Sequence, residues 1–167
     1  MKRPRWLYHC TQADKLPSIA RDGLRPSHDP HWGGMLGEES VGWLYAADTS
    51  KAALYYGLIL FRKQLENDRH AFLPVLLRFC WSKLFEPLRD APGEYRSEAP
   101  VDSRIEMYWQ EKWHPVEALA DAVAEADFKS TVVDPEEGEV YEDWEGDIYS
   151  TIADVEELVK ELYRKAG

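Results

Sequence analysis

Apolar and polar positions divide the first half of the chain into short, well-separated elements. Arg5 to Cys10 is an apolar and aromatic run suited to a strand. Thr11 with Asp14 three residues on resembles a helix start. Gln12 to Asp22 then places Leu16, Ile19 and Ala20 on one face and stops at Gly23, a natural C-terminal cap. The pattern therefore predicts a strand followed by one short helix. Arg25 to Val41 is rich in Pro and His, contains the run Gly33-Gly34-Met35-Leu36-Gly37, and reads as a long surface loop. Loops of that length in a compact domain tend to be functional.

Gly42 to Ala47 predicts a second strand, and Asp48 or Thr49 can cap the helix after it. That helix, Ser50 to Glu66, carries Ala53, Tyr56, Leu60 and the Leu54, Leu58, Leu65 set on an apolar stripe. Phe72 to Trp81, rich in Leu, Val and Phe, is the strongest strand of all. Beyond Leu84 the pattern loosens: Pro87, Pro92 and Gly93 mark turns before a weaker strand between Glu94 and Tyr108. Val116 to Phe128 and Thr151 to Lys165 read as amphipathic helices, separated by an acidic stretch from Asp134 to Asp147 in which Val140, Tyr141 and Trp144 are strand candidates. Neither an internal repeat nor a clear linker interrupts residues 1–167, so one domain with an acidic helical portion from about residue 110 is expected.

Composition agrees with that organisation. A chain of 167 residues with 44% hydrophobic and 31% charged residues is long enough to bury a core, and seven Trp and nine Tyr set it apart from disordered chains. Cys10 and Cys80 lie far apart in apolar runs and read as buried, reduced thiols. Residues 1–84 carry a net +4 and residues 85–167 a net −15, within a total of −11. The acidic half would repel a phosphate backbone and is a candidate surface for a protein partner, whereas the basic half tolerates the phosphates of a dinucleotide. With neither a signal-type apolar stretch nor an apolar run of 18 residues, a soluble cytoplasmic protein with no membrane association is expected.

Candidate chemistry lies in three segments: Leu7-Tyr8-His9-Cys10-Thr11, then Gly42 to Asp48 continuing into Ser50-Lys51-Ala52-Ala53-Leu54-Tyr55, then Gly93-Glu94-Tyr95. Together with Gly23-Leu24-Arg25-Pro26 and Gly37, the first two resemble, in order and spacing, the His-Tyr-Glu branch of the ADP-ribosyltransferase superfamily. That branch includes poly(ADP-ribose) polymerase catalytic domains, with RNA 2'-phosphotransferases as distant relatives. The likeness covers about residues 5–60 and is loose thereafter.

The resemblance implies an α+β fold of two small split antiparallel sheets splayed around an NAD+ cleft with flanking helices, the 25–41 loop bordering the cleft. It implies that NAD+ is the substrate, that His9 contacts the adenosine ribose, and that the backbone of Cys10 bonds the nicotinamide amide. Thr11 would support the same ribose end, and Tyr45 and Tyr55 would hold the nicotinamide. Cys10 stands where the family usually has Gly, so its backbone must reach the carboxamide past a Cβ and a thiol. The catalytic carboxylate is expected at Glu94, with Glu139 and Glu98 as competitors.

The chemistry suits these residue types. Breaking the nicotinamide–ribose bond builds oxocarbenium character, which a fixed carboxylate stabilises only in the transition state. Nicotinamide is a flat cation, and aromatic faces hold it by stacking and cation–π attraction. The expected activity is mono-ADP-ribosylation of a protein, nucleic acid or small acceptor. Two alternatives stay open: an RNA 2'-phosphotransferase drawing on Arg21, Arg25, Arg62 and Arg78, and an inactive family member acting as a protein-binding module. His28-Asp29-Pro30-His31 reads as a surface turn, and no metal is expected.

Overall fold

The computed structural model describes residues 3–27, 41–57, 74–109 and 112–125. Most of the 25–41 loop, the second half of the Ser50–Glu66 helix, the acidic stretch with Glu139 and the Thr151–Lys165 helix lie outside the described residues. Among the described residues there are seven strands: β1 (Trp6–Gln12), β2 (Leu44–Ala47), β3 (Pro74–Cys80), β4 (Glu86–Pro87), β5 (Glu94–Ser97), β6 (Ile105–Trp109) and β7 (Lys112–Pro115). Three helices accompany them: α1 (Leu16–Asp22), α2 (residues 50–57) and α3 (Val116–Glu125). The class is α+β, with a wholly antiparallel sheet in the order β4-β5-β2-β1-β3-β6-β7.

β1 and β3 pair along seven residues, from Trp6 opposite Cys80 to Gln12 opposite Pro74, and form the centre of the sheet. Their alternation explains the core. Leu7, Phe79 and Ile105 stand in one row across three strands, and half-buried His9 with Leu77 and Met107 in the next, so apart from His9 this face is a stack of fully or almost fully buried apolar groups. The same cluster takes in Leu16 and Ile19 of α1 and Val116, Ala120 and Val123 of α3, two helices that pack on each other.

The opposite face carries Tyr8, Arg78 and Glu106 in one row. The Arg78 guanidinium lies 4.4 Å from the Trp6 ring centroid and 4.1 Å from that of Trp113, and bonds Glu106 at 2.9 Å. A half-buried cation is thus both neutralised and sandwiched by aromatic faces.

Three differences from the sequence expectations have local causes. β1 continues through Thr11 and Gln12, so Thr11 lies in a strand rather than at a helix cap, and the helix begins after the single turn Ala13–Lys15 with Pro17 in its first turn. Gly23 does end α1, at φ 78°, and Leu24 and Val101 then exchange two backbone hydrogen bonds of 3.0 and 2.8 Å. The weak strand expected between Glu94 and Tyr108 is two strands, β5 and β6, on opposite sides of the sheet. β7 occupies residues just after 110, where only helix was expected.

The sheet itself departs from the expected pair. Its ladder is continuous, yet among the described residues β1 and β2 are joined by one pair only, Tyr8 with Ala47. The β2-β5-β4 side and the β1-β3-β6-β7 side therefore meet at a seam rather than along full strands.

Candidate active site at the β1/β2 seam

The three sequence segments meet at this seam. Past the Tyr8–Ala47 pair no further ladder pair joins the described parts of β1 and β2, and the His9 ring bridges them instead, with Nδ1 2.7 Å from the carbonyl oxygen of Tyr45. A carbonyl can only accept, so Nδ1 carries the proton and Nε2 presents a lone pair. Burial holds the His9 pKa below the ordinary histidine value and outweighs the opposing effect of the Tyr45 bond, so the ring is neutral.

The direction of that hydrogen bond fixes which backbone groups are open. In an antiparallel ladder alternate residues turn their N–H and C=O to opposite neighbours. Tyr45 turns its carbonyl towards β1, and Ala47, two residues on, does likewise where it meets Tyr8. Tyr8, and after it Cys10, therefore turn their N–H and C=O towards β2. Cys10 lies past the joining pair, so its backbone donor and acceptor face the seam.

The Cys10 side chain goes elsewhere. Cys10 pairs with Leu76 in regular strand geometry, so nothing in its backbone requires glycine. Its thiol sits against Gly57 of α2: a Cβ built on Gly57 would overlap Cys10 Sγ and lie 2.7 Å from Cys10 Cβ. A missing side chain on the helix makes room for the extra one on the strand. Burial pushes the thiol pKa up to about 12, so it stays protonated. Cys80, expected to be buried, is exposed.

Pairing places the carboxylate. Ala47 stands opposite Glu94, and Tyr45 opposite Arg96, so Tyr45 and Glu94 share one face of the β2/β5 ladder with Tyr8 and Cys10. His9 and Thr11 belong by alternation to the other face, and the His9 ring reaches Tyr45 through its backbone rather than its ring. Thr11 is buried opposite Val75. Glu94 follows Gly93, whose φ of 86° closes a turn in which Glu94 N–H bonds Ala91 O at 3.0 Å and Asp48 N–H bonds Gly93 O at 2.8 Å. A Cβ on Gly93 would come within 2.7 Å of Asp48 Oδ1, and the positive φ strains any residue that carries one, so glycine is favoured there.

Tyr55 is 62% exposed on α2. Its neighbour Tyr56, which the sequence pattern assigned only to the apolar stripe, donates its hydroxyl to Glu94 Oε1 at 2.7 Å. The two rings meet edge to face, 5.7 Å apart at 75°. Glu98 is exposed just past the end of β5, and Glu139 lies outside the described residues. Of the arginines available for phosphate, Arg78 is held by Glu106 and Arg21 by Asp22, while the Nε of Arg25 bonds Asp22 O. Arg62 lies outside the described residues, as does His28-Asp29-Pro30-His31. A small apolar crevice bounded by Leu54, Pro74, Val75, Leu76, Tyr108 and Trp109 lies on the far side of β1 from the seam and contains none of these groups.

No family model, curated protein or solved structure matches the chain. Among the described residues no helix is long and apolar enough to cross a membrane, and no group of three or more His, Cys, Asp or Glu is arranged to hold a metal.

Proposed function

We propose that the chain is an NAD+-dependent ADP-ribosyltransferase of the His-Tyr-Glu type, working in the cytoplasm and transferring a single ADP-ribose to a macromolecular or small acceptor. The observation that carries the reading is the meeting of three distant segments at one seam. The His9 ring bonds the Tyr45 backbone at 2.7 Å, and Glu94 stands on the strand next to Tyr45, two register pairs away.

Each group suits its part. Neutral His9, with Nε2 free to accept, is matched to a ribose hydroxyl. The N–H and C=O of Cys10, which face the seam, are matched to a carboxamide, which needs one acceptor and one donor. Tyr45 and Tyr55 offer aromatic faces to the nicotinamide cation. Glu94 supplies negative charge beside a developing oxocarbenium ion, where it stabilises the transition state more than the ground state. The single β1–β2 ladder pair is the feature from which a cleft between two half-sheets would be built. The phosphotransferase alternative draws no support from arginines that are already held by Glu106 and Asp22.

Incubation with NAD+ labelled in the adenylate moiety, with and without nucleic acid, tests the reading through nicotinamide release and label transfer. Release that depends on Glu94 supports it. Absence of both release and calorimetric NAD+ binding would leave the non-catalytic binding module as the better account.

A further inference from the structure

We propose that Tyr56 is the positioning residue for Glu94, holding one carboxylate oxygen so that the other faces the reacting ribose; this rests on the transferase reading of the site. The backbone of Glu94 is fixed by the Gly93 turn, in which Leu88 N–H also bonds Glu94 O at 2.9 Å. Three side-chain torsions still separate that backbone from the carboxylate, and electrostatic catalysis requires the charge to be placed before the reaction begins. The Tyr56 hydroxyl, 2.7 Å from Oε1, supplies the missing restraint. No lysine or arginine forms an ion pair with Glu94 among the described residues, so Tyr56 orients the carboxylate without cancelling its charge.

Two further features suit Tyr56 to the task. Its ring has only two soft torsions and is buttressed edge-on by Tyr55. The bond to Glu94, then burial, push its pKa up to about 12, so the hydroxyl remains a donor at any working pH. Oε1 is occupied in this way, and Oε2 is left for a ribose hydroxyl.

The test uses the full chain. Tyr56→Phe keeps the ring and removes the hydroxyl; kcat should fall about 10- to 100-fold, the scale of a lost orienting bond to a charged group, with the KM for NAD+ changed less than about twofold. Unchanged kcat in Tyr56→Phe, beside an active wild type, overturns the positioning role and leaves the transferase reading standing. A rise in KM that tracks a loss of thermal stability makes Tyr56 merely structural and also overturns it. A wild type without turnover overturns both. Independently of activity, the Tyr56 ring-carbon resonance, assigned by its loss in Tyr56→Phe, should remain untitrated to about pH 11 in the wild type and titrate earlier in Glu94→Gln. Identical titration in the two proteins refutes the bond itself.

Discussion

Replacing Gly57 by alanine should destabilise the wild type but stabilise a protein in which Cys10 has first become glycine. A Cβ at position 57 would overlap Cys10 Sγ and lie 2.7 Å from Cys10 Cβ. Rotating the thiol relieves only the first contact, because Cys10 Cβ is fixed to the backbone of β1. Either α2 or the strand must shift, and overpacking of this kind costs about 1–3 kcal/mol. Against it stands the better helix propensity of alanine, worth about 1 kcal/mol. The net effect in the wild type is a loss of up to about 2 kcal/mol, or roughly 4–8 °C in Tm for a domain of this size. In Cys10→Gly both offending atoms are gone and the remaining neighbour is Pro74 Cβ at 3.9 Å, an ordinary contact. The propensity gain then stands alone, and the sign reverses. Urea denaturation of the four proteins of the cycle measures the coupling. If Gly57→Ala has the same effect in both backgrounds within about 0.5 kcal/mol, the thiol does not rest on Gly57 and the account of how Cys10 replaces glycine is wrong.

Other expectations follow from the same site. Glu94→Gln should lower turnover about 100- to 1,000-fold, the scale for one preorganised electrostatic contact, while calorimetric NAD+ affinity stays nearly unchanged. Iodoacetamide at pH 8 should label exposed Cys80 and spare Cys10, whose thiol is held at about 12; peptide mass mapping reads the two sites separately. His9 has its pKa lowered from 6.5 by burial, so the unfolded chain binds this proton more readily than the folded one. Its contribution to stability is therefore complete above about pH 6.5 and is lost as pH falls from there towards the folded-state value. Chemical denaturation between pH 7.5 and 5 should show a shallower loss in His9→Gln than in the wild type.

The parts of the fold that were readable are those whose local pattern is strong. β1 and β3 announce themselves as aromatic and branched runs, and Gly23 closes α1 as a glycine cap should. β7 is only Lys-Trp-His-Pro at a sheet edge, and β4 is two residues, so neither carries a period long enough to detect. In the site, the resemblance grouped His9 with Tyr45, and the two are in contact. Glu94 was singled out among many acidic residues, but its place beside Ala47 is a register between distant strands, which no local periodicity encodes. Tyr56 escaped for a related reason. Adjacent helix positions point about 100° apart, so whether residue 55 or 56 reaches β5 depends on the rotation of α2 over the sheet.

The lone Tyr8–Ala47 pair has a mechanical consequence. Within either leaf of the sheet, sliding one strand past another must break several hydrogen bonds at once, whereas folding the leaves about their common crease strains one pair and the His9–Tyr45 bond, each bond worth about 0.5–1.5 kcal/mol. What spans the crease is α2, which grips one leaf at Gly57 against Cys10 and the other at Tyr56 against Glu94, through consecutive residues. The helix works as a buckle, and a molecule lodged along the crease beside it would draw the same two leaves together.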